Sequence, residues 1–218
     1  MPHISPELLL KAYAYGVFPM ARSREEKEVF WVQPKTRAVL PLENFHVPRS
    51  LRKILRKQIY DVRCDTAFSA VLSGCAEPQA DRRETWINDQ IFQSFADLHE
   101  SGLAHSVEVW REGRLVGGLY GLAMGSAFFG ESMFRRESNA SKIALCYLVA
   151  ILKNGNYTLL DTQFMTDHLR SCGALEISHK EYMRDLKNAL GRIASFNRQL
   201  DYLDVARELS IHSKTHMS

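Results

Sequence analysis

A chain of 218 residues, 45% hydrophobic and 24% charged, is long enough for one large globular domain or a main domain with a small one. Its formal net charge of +3 permits a nucleic-acid partner without requiring one, so where the cations cluster matters more than their sum. No run approaches the ~20 apolar residues of a membrane helix, and no basic stretch followed by an apolar core marks a secretory signal.

Ser5-Pro6-Glu7 ahead of Leu8, Leu9 and Leu10 is a helix start, with a cap, a proline in the first turn and an early acid. Gly16 is a stop. Phe30-Trp31 and Arg37–Leu40 read as short strands around Gln33-Pro34-Lys35, and a boundary near Arg37 is expected. Residues 1–37 would form a small N-terminal unit and residues 38–218 the main domain. Pro48 precedes an amphipathic helix, Arg49 to Gln58, with Leu51, Ile54 and Leu55 on one face and Arg49, Arg52, Lys53, Arg56 and Lys57 largely on the other. A helix from Ala67 to Cys75, a loop containing Glu77-Pro78 and Asp81-Arg82-Arg83, and a helix from Asp89 to Ser101 follow. Ser106–Trp110, Leu115–Leu122 and Ala127–Phe129 then make an antiparallel meander. Ser138-Asn139 can cap a helix over Ala140–Lys153. A strand over Leu159–Phe164, a short helix over Asp167–Ser171, a helix over Tyr182–Ala194 and a tail, helical at first after Asp201, complete the chain.

This order specifies an α+β protein with a small N-terminal α/β unit and a central mixed sheet. It resembles the layout of the GNAT acyltransferases. Where those proteins present a Gly-rich loop to pyrophosphate, this chain has Phe134-Arg135-Arg136-Glu137-Ser138-Asn139-Ala140, without glycine. Acetyl-CoA is therefore not expected as a cofactor.

Two segments place polar groups in apolar surroundings: Gly130-Glu131-Ser132-Met133-Phe134 and Leu159-Leu160-Asp161-Thr162-Gln163-Phe164. Strand alternation would project Asp161 and Gln163 side by side from one face. They are either a satisfied structural pair or a functional one. The cysteines, Cys64, Cys75, Cys146 and Cys172, lack CxxC spacing, and no histidine has metal-ligand spacing with another His or Cys. Neither a disulfide nor a metal is expected, and a reduced cytoplasmic protein fits best. His168, just beyond the Asp161 strand, reads as a supporting partner, and no thiolate-activating pattern surrounds Cys172.

The chain resembles the bacterial leucyl/phenylalanyl-tRNA–protein transferases from about Leu8 to Leu190. The resemblance is carried by Gly16-Val17-Phe18-Pro19, Arg37-Ala38-Val39-Leu40-Pro41, Thr85-Trp86-Ile87, His105–Trp110, Leu115–Gly121, Gly130–Phe134, Asn139-Ala140-Ser141-Lys142 and Asp161-Thr162-Gln163. It implies a cytoplasmic, monomeric enzyme with a GNAT-like domain and no cofactor. Such an enzyme moves Leu or Phe, less well Met, from Leu-tRNA or Phe-tRNA to proteins with N-terminal Arg or Lys, creating an N-degron. Two departures stand out. An N-terminal extension carried by some relatives is missing, and Met20 stands where some have Trp after Phe-Pro, so Trp31 or Trp86 would supply that stacking contact.

By this resemblance Asp161 and Gln163 are the catalytic pair, and Glu131 meets the amino group of the aminoacyl moiety. Two roles stay open for the pair: proton transfer through a Gln163 amide polarised by Asp161, or electrostatic attraction of the cationic acceptor by Asp161 with the tRNA ribose moving the proton. Trp86, Leu119, Phe128, Phe129 and Leu145 are candidates for the side-chain pocket, with the terminal adenosine stacked on Trp86. Phosphate contacts would come from Arg49, Arg52, Lys53, Arg56 and Lys57, and from a second patch of Arg135, Arg136 and Lys142. The competing readings are an acyltransferase with an acyl-CoA or Fem-type substrate pair, and a non-catalytic tRNA- or degron-binding module.

Overall fold

The computed structural model describes residues 4–78 and 84–211. The predicted loop at Asp81-Arg82-Arg83 and the end of the tail lie outside them. Helix α1 (Pro6–Ala14) starts as the sequence dictates: the Ser5 hydroxyl accepts from the Leu8 N–H, and Pro6 needs no donor there. It leads to a two-stranded ribbon of β1 (Phe18–Met20) and β2 (Phe30–Val32). The remaining strands are β3 (Thr36–Val39), β4 (Asp61–Cys64), β5 (Ala104–Arg111), β6 (Arg114–Met124), β7 (Ala127–Arg135), β8 (Leu159–Gln163) and β9 (Leu175–Ser178). They form one seven-stranded sheet in the order β4-β5-β6-β7-β8-β3-β9. Every neighbour is antiparallel except β7 and β8. The parallel pair needs a crossover, which α5 (Ala140–Asn154) supplies. The expected α+β architecture with a mixed central sheet is thus present.

Two apolar layers sandwich the sheet. On one face α2 (Arg49–Lys57), α5 and α8 (Tyr202–Glu208) cover Val107, Leu119, Phe128 and Leu160. On the other, α1, α3 (Phe68–Ala76), α4 (Asp89–Glu100) and α7 (His179–Leu190) cover Tyr120, Leu122, Phe129 and Leu159. Leu9 and Tyr13 of α1 and Phe18 of β1 belong to this second layer. The short α6 (Asp167–Ser171) follows β8. Among the described residues no helix is long and apolar enough to cross a membrane.

Several predicted elements shift. The third meander strand runs on to Arg135 rather than ending at Phe129, so the Gly130–Phe134 segment lies on the strand itself. The helix expected over Tyr182–Ala194 spans His179–Leu190, started by a capping box between Ser178 and Glu181. Asn139 precedes α5 at φ 69° and its side chain makes no capping bond. Strands β4 and β9 had no apolar signal of their own, because their residues are largely exposed or half-buried at the sheet edges. Phe164, expected inside the strand, is 48% exposed just past its end.

The His105–Trp110 segment has a structural use. Glu108 is fully buried and accepts from the Thr66 and Ala67 N–H groups, each at 2.9 Å, from the Thr66 hydroxyl, and from Ser106 Oγ at 2.8 Å. A carboxylate there satisfies backbone donors at the start of α3 and complements its dipole. His105 bonds Asp65 at 2.8 Å and stacks on Phe196 at 4.1 Å, which with the Arg198–Asp65 pair at 2.6 Å clasps the segment after α7 onto the sheet.

Candidate active site

Two irregularities in the sheet coincide. Along β6 and β7, Tyr120 pairs with Ser132 while Gly121 pairs with Gly130, so Glu131 is an extra residue, a β-bulge. Gly121 permits it: a Cβ there would run into the Phe129 carbonyl oxygen and the Phe128 ring. Along β3 and β8, Ala38 pairs with Gln163 and Val39 with Asp161, so Thr162 is extra as well. Gln163 adopts φ 54°, in the left-handed region that a non-glycine residue enters at a cost of about 1–2 kcal/mol. Pairing of β7 with β8 extends only as far as Phe129 opposite Asp161. Beyond it the strands part, and Glu131 and Gln163 stand at the opening.

That opening is a cavity of about 550 Å³. Its apolar wall includes Phe18, Met20, Trp86, Leu119, Met133, Leu145, Leu148 and Leu160; its polar side carries Glu131, Thr162, Gln163 and His168. Mostly apolar with a few converging polar groups, it has the character of a small-molecule site.

Asp161 is not on the cavity wall. Simple alternation fails because Thr162 is bulged and Gln163 turns left-handed. Asp161 is fully buried, and its carboxylate is met by Arg37, which is 1% exposed. Arg37 Nε lies 2.9 Å from Oδ1 and Nη2 2.7 Å from Oδ2, a two-pronged fork. The Tyr182 hydroxyl donates to Oδ2 at 2.7 Å and the Gln163 backbone N–H to Oδ1 at 2.9 Å. Arg37 also donates to the Gly16 carbonyl at 3.0 Å, with its guanidinium 4.7 Å from the centre of the Phe18 ring and 4.5 Å from that of Tyr182. Burial opposes the Arg37 charge, but the bonds and attraction from Asp161 outweigh it and raise its pKa. Burial and the Asp161 charge hold Tyr182 well above the usual phenol, so it stays a donor. A carboxylate so enclosed cannot reach a substrate cation. Asp161 instead pins the backbone of Gln163, and direct attraction of the acceptor by Asp161 is not what this geometry offers.

The Gln163 amide has one self-consistent orientation. With its NH₂ toward the Gly130 carbonyl at 2.8 Å and the Thr162 carbonyl at 3.2 Å, both hydrogens are used. Its oxygen then turns toward Glu131, whose Oε1 lies 3.4 Å from the outer amide atom. That contact needs a proton on Glu131. Burial pushes the Glu131 carboxyl up to about 8, with Asp161 adding and the Tyr13 hydroxyl and Arg37 pulling the other way. The fully buried Tyr13 hydroxyl faces Glu131 without closing a bond of normal geometry. In the empty site at neutral pH Glu131 is thus largely protonated. A positive charge placed beside it would favour the ionised form.

This has a measurable consequence. The folded protein holds on Glu131 a proton that the unfolded chain releases near 4.5, so Glu131 makes stability fall as pH rises from about 4.5 to about 8. Glu131→Gln is expected to remove that fall. Its melting temperature should match the parent's near pH 5 and exceed it increasingly toward pH 8.5. A difference that stays constant across this range would rule the assignment out.

Of the other predicted residues, Trp86, Leu119 and Leu145 line the cavity. Phe128 and Phe129 do not. Phe128 faces the α5 layer, edge-on to Tyr157, and Phe129 faces the α1 layer, 4.9 Å from Tyr13, because consecutive strand residues point to opposite faces. On α2, Arg49, Lys53, Arg56 and Lys57 are exposed, while Arg52 is half-buried and donates to the Val47 carbonyl at 2.9 Å, holding its own loop. The charges of exposed Arg135 and half-buried Lys142 contribute to lowering the His168 pKa, and neither residue lines the cavity. Arg136 turns away to Glu77 at 2.6 Å and lies over the Phe134 ring. Trp31 is 39% exposed on β2 and does not line the cavity. Sequence reasoning missed Arg37, Tyr182, Met133 and Phe164, the last an exposed aromatic that lines the cavity edge-on to Phe18.

Comparison with known proteins bears on this arrangement. Residues 39–187 match the family model described as leucyl/phenylalanyl-tRNA protein transferase, and residues 3–35 match that of its N-terminal domain. The leucyl/phenylalanyl-tRNA–protein transferase of Paramagnetospirillum magneticum is 59% identical over 198 residues, 91% of this chain and 95% of that protein. Its Rhodospirillum rubrum counterpart is 54% identical over 98% of this chain and 99% of its own length. Among solved structures, FemX aligns at 12% identity and a TM-score of 0.49, over 91% of this chain and 69% of its own.

Proposed function

The chain belongs to the leucyl/phenylalanyl-tRNA–protein transferase family and is an aminoacyltransferase that works from tRNA to protein; from this premise we propose that it transfers Leu or Phe, and less readily Met, to proteins with N-terminal Arg or Lys. The product would begin with a bulky apolar residue and serve as an N-degron, made in the cytoplasm.

The single observation that supports this reading is the apolar cavity closed at its polar side by Glu131 and Gln163. Leucine and phenylalanine differ from most amino acids in lacking polar side-chain atoms, and a wall of Met133, Leu145, Leu148 and Leu160 would leave any such atom unpaired. Pockets of this kind separate apolar side chains by only about 1–3 kcal/mol per methylene, in keeping with an enzyme that accepts more than one.

The chemistry asks little of the protein. The ester is already activated, and an α-amine with pKa near 8 is roughly a tenth neutral at pH 7. Its lone pair attacks the ester carbon, the C–N bond forms, the bond to the ribose oxygen breaks, and that oxygen leaves with a proton. Glu131 would hold the amino group of the aminoacyl moiety. The Gln163 oxygen would accept a hydrogen from the attacking amine and align it. Alignment alone supplies several kcal/mol of the barrier. Arg135 and Lys142 would hold the 3′-end phosphates beside the cavity, and the exposed cations of α2 the acceptor stem. Trp86 or Phe164 would stack on the terminal adenine.

The test is transfer of radiolabelled leucine from Leu-tRNA to peptides identical but for an N-terminal Arg or Asp. Label on the Arg peptide alone is expected. Label on the Asp peptide alone would overturn the acceptor rule, and no label on either, with tRNA still bound, would favour a different acceptor class.

A further inference from the structure

One buried polar atom on the cavity wall is left unused by the reaction as described. His168 lines the cavity, and its Nε2 is buried with no hydrogen-bond partner among the described residues. Such atoms are rare because they are costly. The side chain is not loosely held. It sits on α6, whose first turn is capped by Thr166 Oγ1 accepting from the Leu169 N–H at 3.2 Å. The His168 carbonyl accepts from Ser171 Oγ at 2.7 Å and from the Cys172 N–H at 3.2 Å. Its Nδ1 lies 3.8 Å from the Sγ of Cys172, which is 4% exposed.

The Cys172 contact bears on which nitrogen carries the proton. Burial, then the charges of Lys142 and Arg135, lower the His168 pKa, so the ring is neutral at pH 7 and has one N–H. Burial raises the Cys172 thiol, which keeps its hydrogen. In the tautomer in which the thiol donates to the Nδ1 lone pair, the ring proton is on Nε2. The result is a neutral donor, buried just behind the surface of a side chain that lines the same cavity as Glu131 and Gln163. Glu131 is assigned to the amino group and Gln163 to the attacking amine. No group so far serves the oxygens of the ester.

We infer that His168 positions the aminoacyl donor by giving its Nε2–H to an oxygen of the aminoacyl–ribose ester. This rests on the transferase reading above. A neutral donor suits an ester oxygen, which carries no full charge before attack and gains negative charge during it. The phosphate between the last two nucleotides offers the same acceptor chemistry, so the experiment separates the two sources.

The probes are Leu-tRNA and leucyl-adenosine, which keeps the ester and lacks the phosphate. With wild-type enzyme, His168→Ala and His168→Gln, kcat/KM is measured for each probe against one Arg peptide, and Tm is measured in parallel. His168→Ala is expected to lose roughly 10-fold or more in kcat/KM with both probes, with the KM of the peptide unchanged. His168→Gln, whose amide N–H reaches nearly the same point, is expected to recover most of the loss. Equal rates for wild type and His168→Ala would overturn the inference. So would a loss confined to Leu-tRNA, which would place His168 on the phosphate. A loss that tracks a fall in Tm and is not relieved by Gln would also overturn it, as a purely structural role. Wild-type enzyme inactive with both probes would overturn the transferase reading itself.

Discussion

Arg37→Ala is expected to destabilise the protein by about 3–5 kcal/mol, the range for breaking a buried ion pair from one side. Arg37 and Asp161 are 1% and 0% exposed, so bulk solvent does not reach the charge left behind. The substitution strands the Asp161 carboxylate with only Tyr182 and the Gln163 N–H as donors. It also removes the donor to the Gly16 carbonyl and the planar group packed between Phe18 and Tyr182. Arg37→Lys should recover little, since an ammonium cannot match a two-pronged fork or stack between rings. The double change Arg37→Ala with Asp161→Ala should cost less than the sum of the single ones, because neither charge is then left alone. Urea unfolding of the parent, the three single variants and the double variant measures this directly. A loss below about 1 kcal/mol for Arg37→Ala would mean that the pair is hydrated in solution and the enclosed geometry is wrong.

The second large effect separates folding from function. Gln163→Gly is expected to lower transfer about 10²–10³-fold, the scale for removing one aligned polar group at a reacting centre, while leaving stability within about 1 kcal/mol of the parent. The reason is the backbone. At φ 54° the residue already sits where glycine is free of strain, and its main-chain bond to Asp161 Oδ1 survives the change. Only the amide is lost. Gln163→Asn, better tolerated in that conformation than most side chains but one carbon shorter, should fall between the two in rate. Transfer by Gln163→Gly within threefold of the parent would show that the amide is a spectator.

Most of the scaffold was legible in the chain. Ser5-Pro6 and the Leu51/Leu55 stripe announce α1 and α2, and the turns at Glu112-Gly113 and Gly125-Ser126 delimit the meander. The segments carrying Glu131 and Asp161 stood out because polar groups interrupt apolar runs. What the sequence hid was geometry of two kinds. A bulge inserts one residue without a local signature, so alternation placed Asp161 beside Gln163 when it lies behind it. A long-range partner has no signature at all: Arg37 is 124 residues from Asp161 and reads as an ordinary strand cation. Phe128 and Phe129 show the same limit from the other side, since aromatic character alone cannot tell a pocket wall from a core on either sheet face.

The central claim is that the cavity between the parting strands holds the aminoacyl group. The most direct measurement is a crystal structure with the stable 3′-amide analogue of phenylalanyl-adenosine. The account expects the phenylalanyl ring against Met133, Leu145 and Leu148, its amino group within hydrogen-bond distance of Glu131, and the Arg37–Asp161 fork unchanged behind Gln163. Density for the analogue outside this cavity, or its amino group on Asp161 with Arg37 displaced, would contradict it.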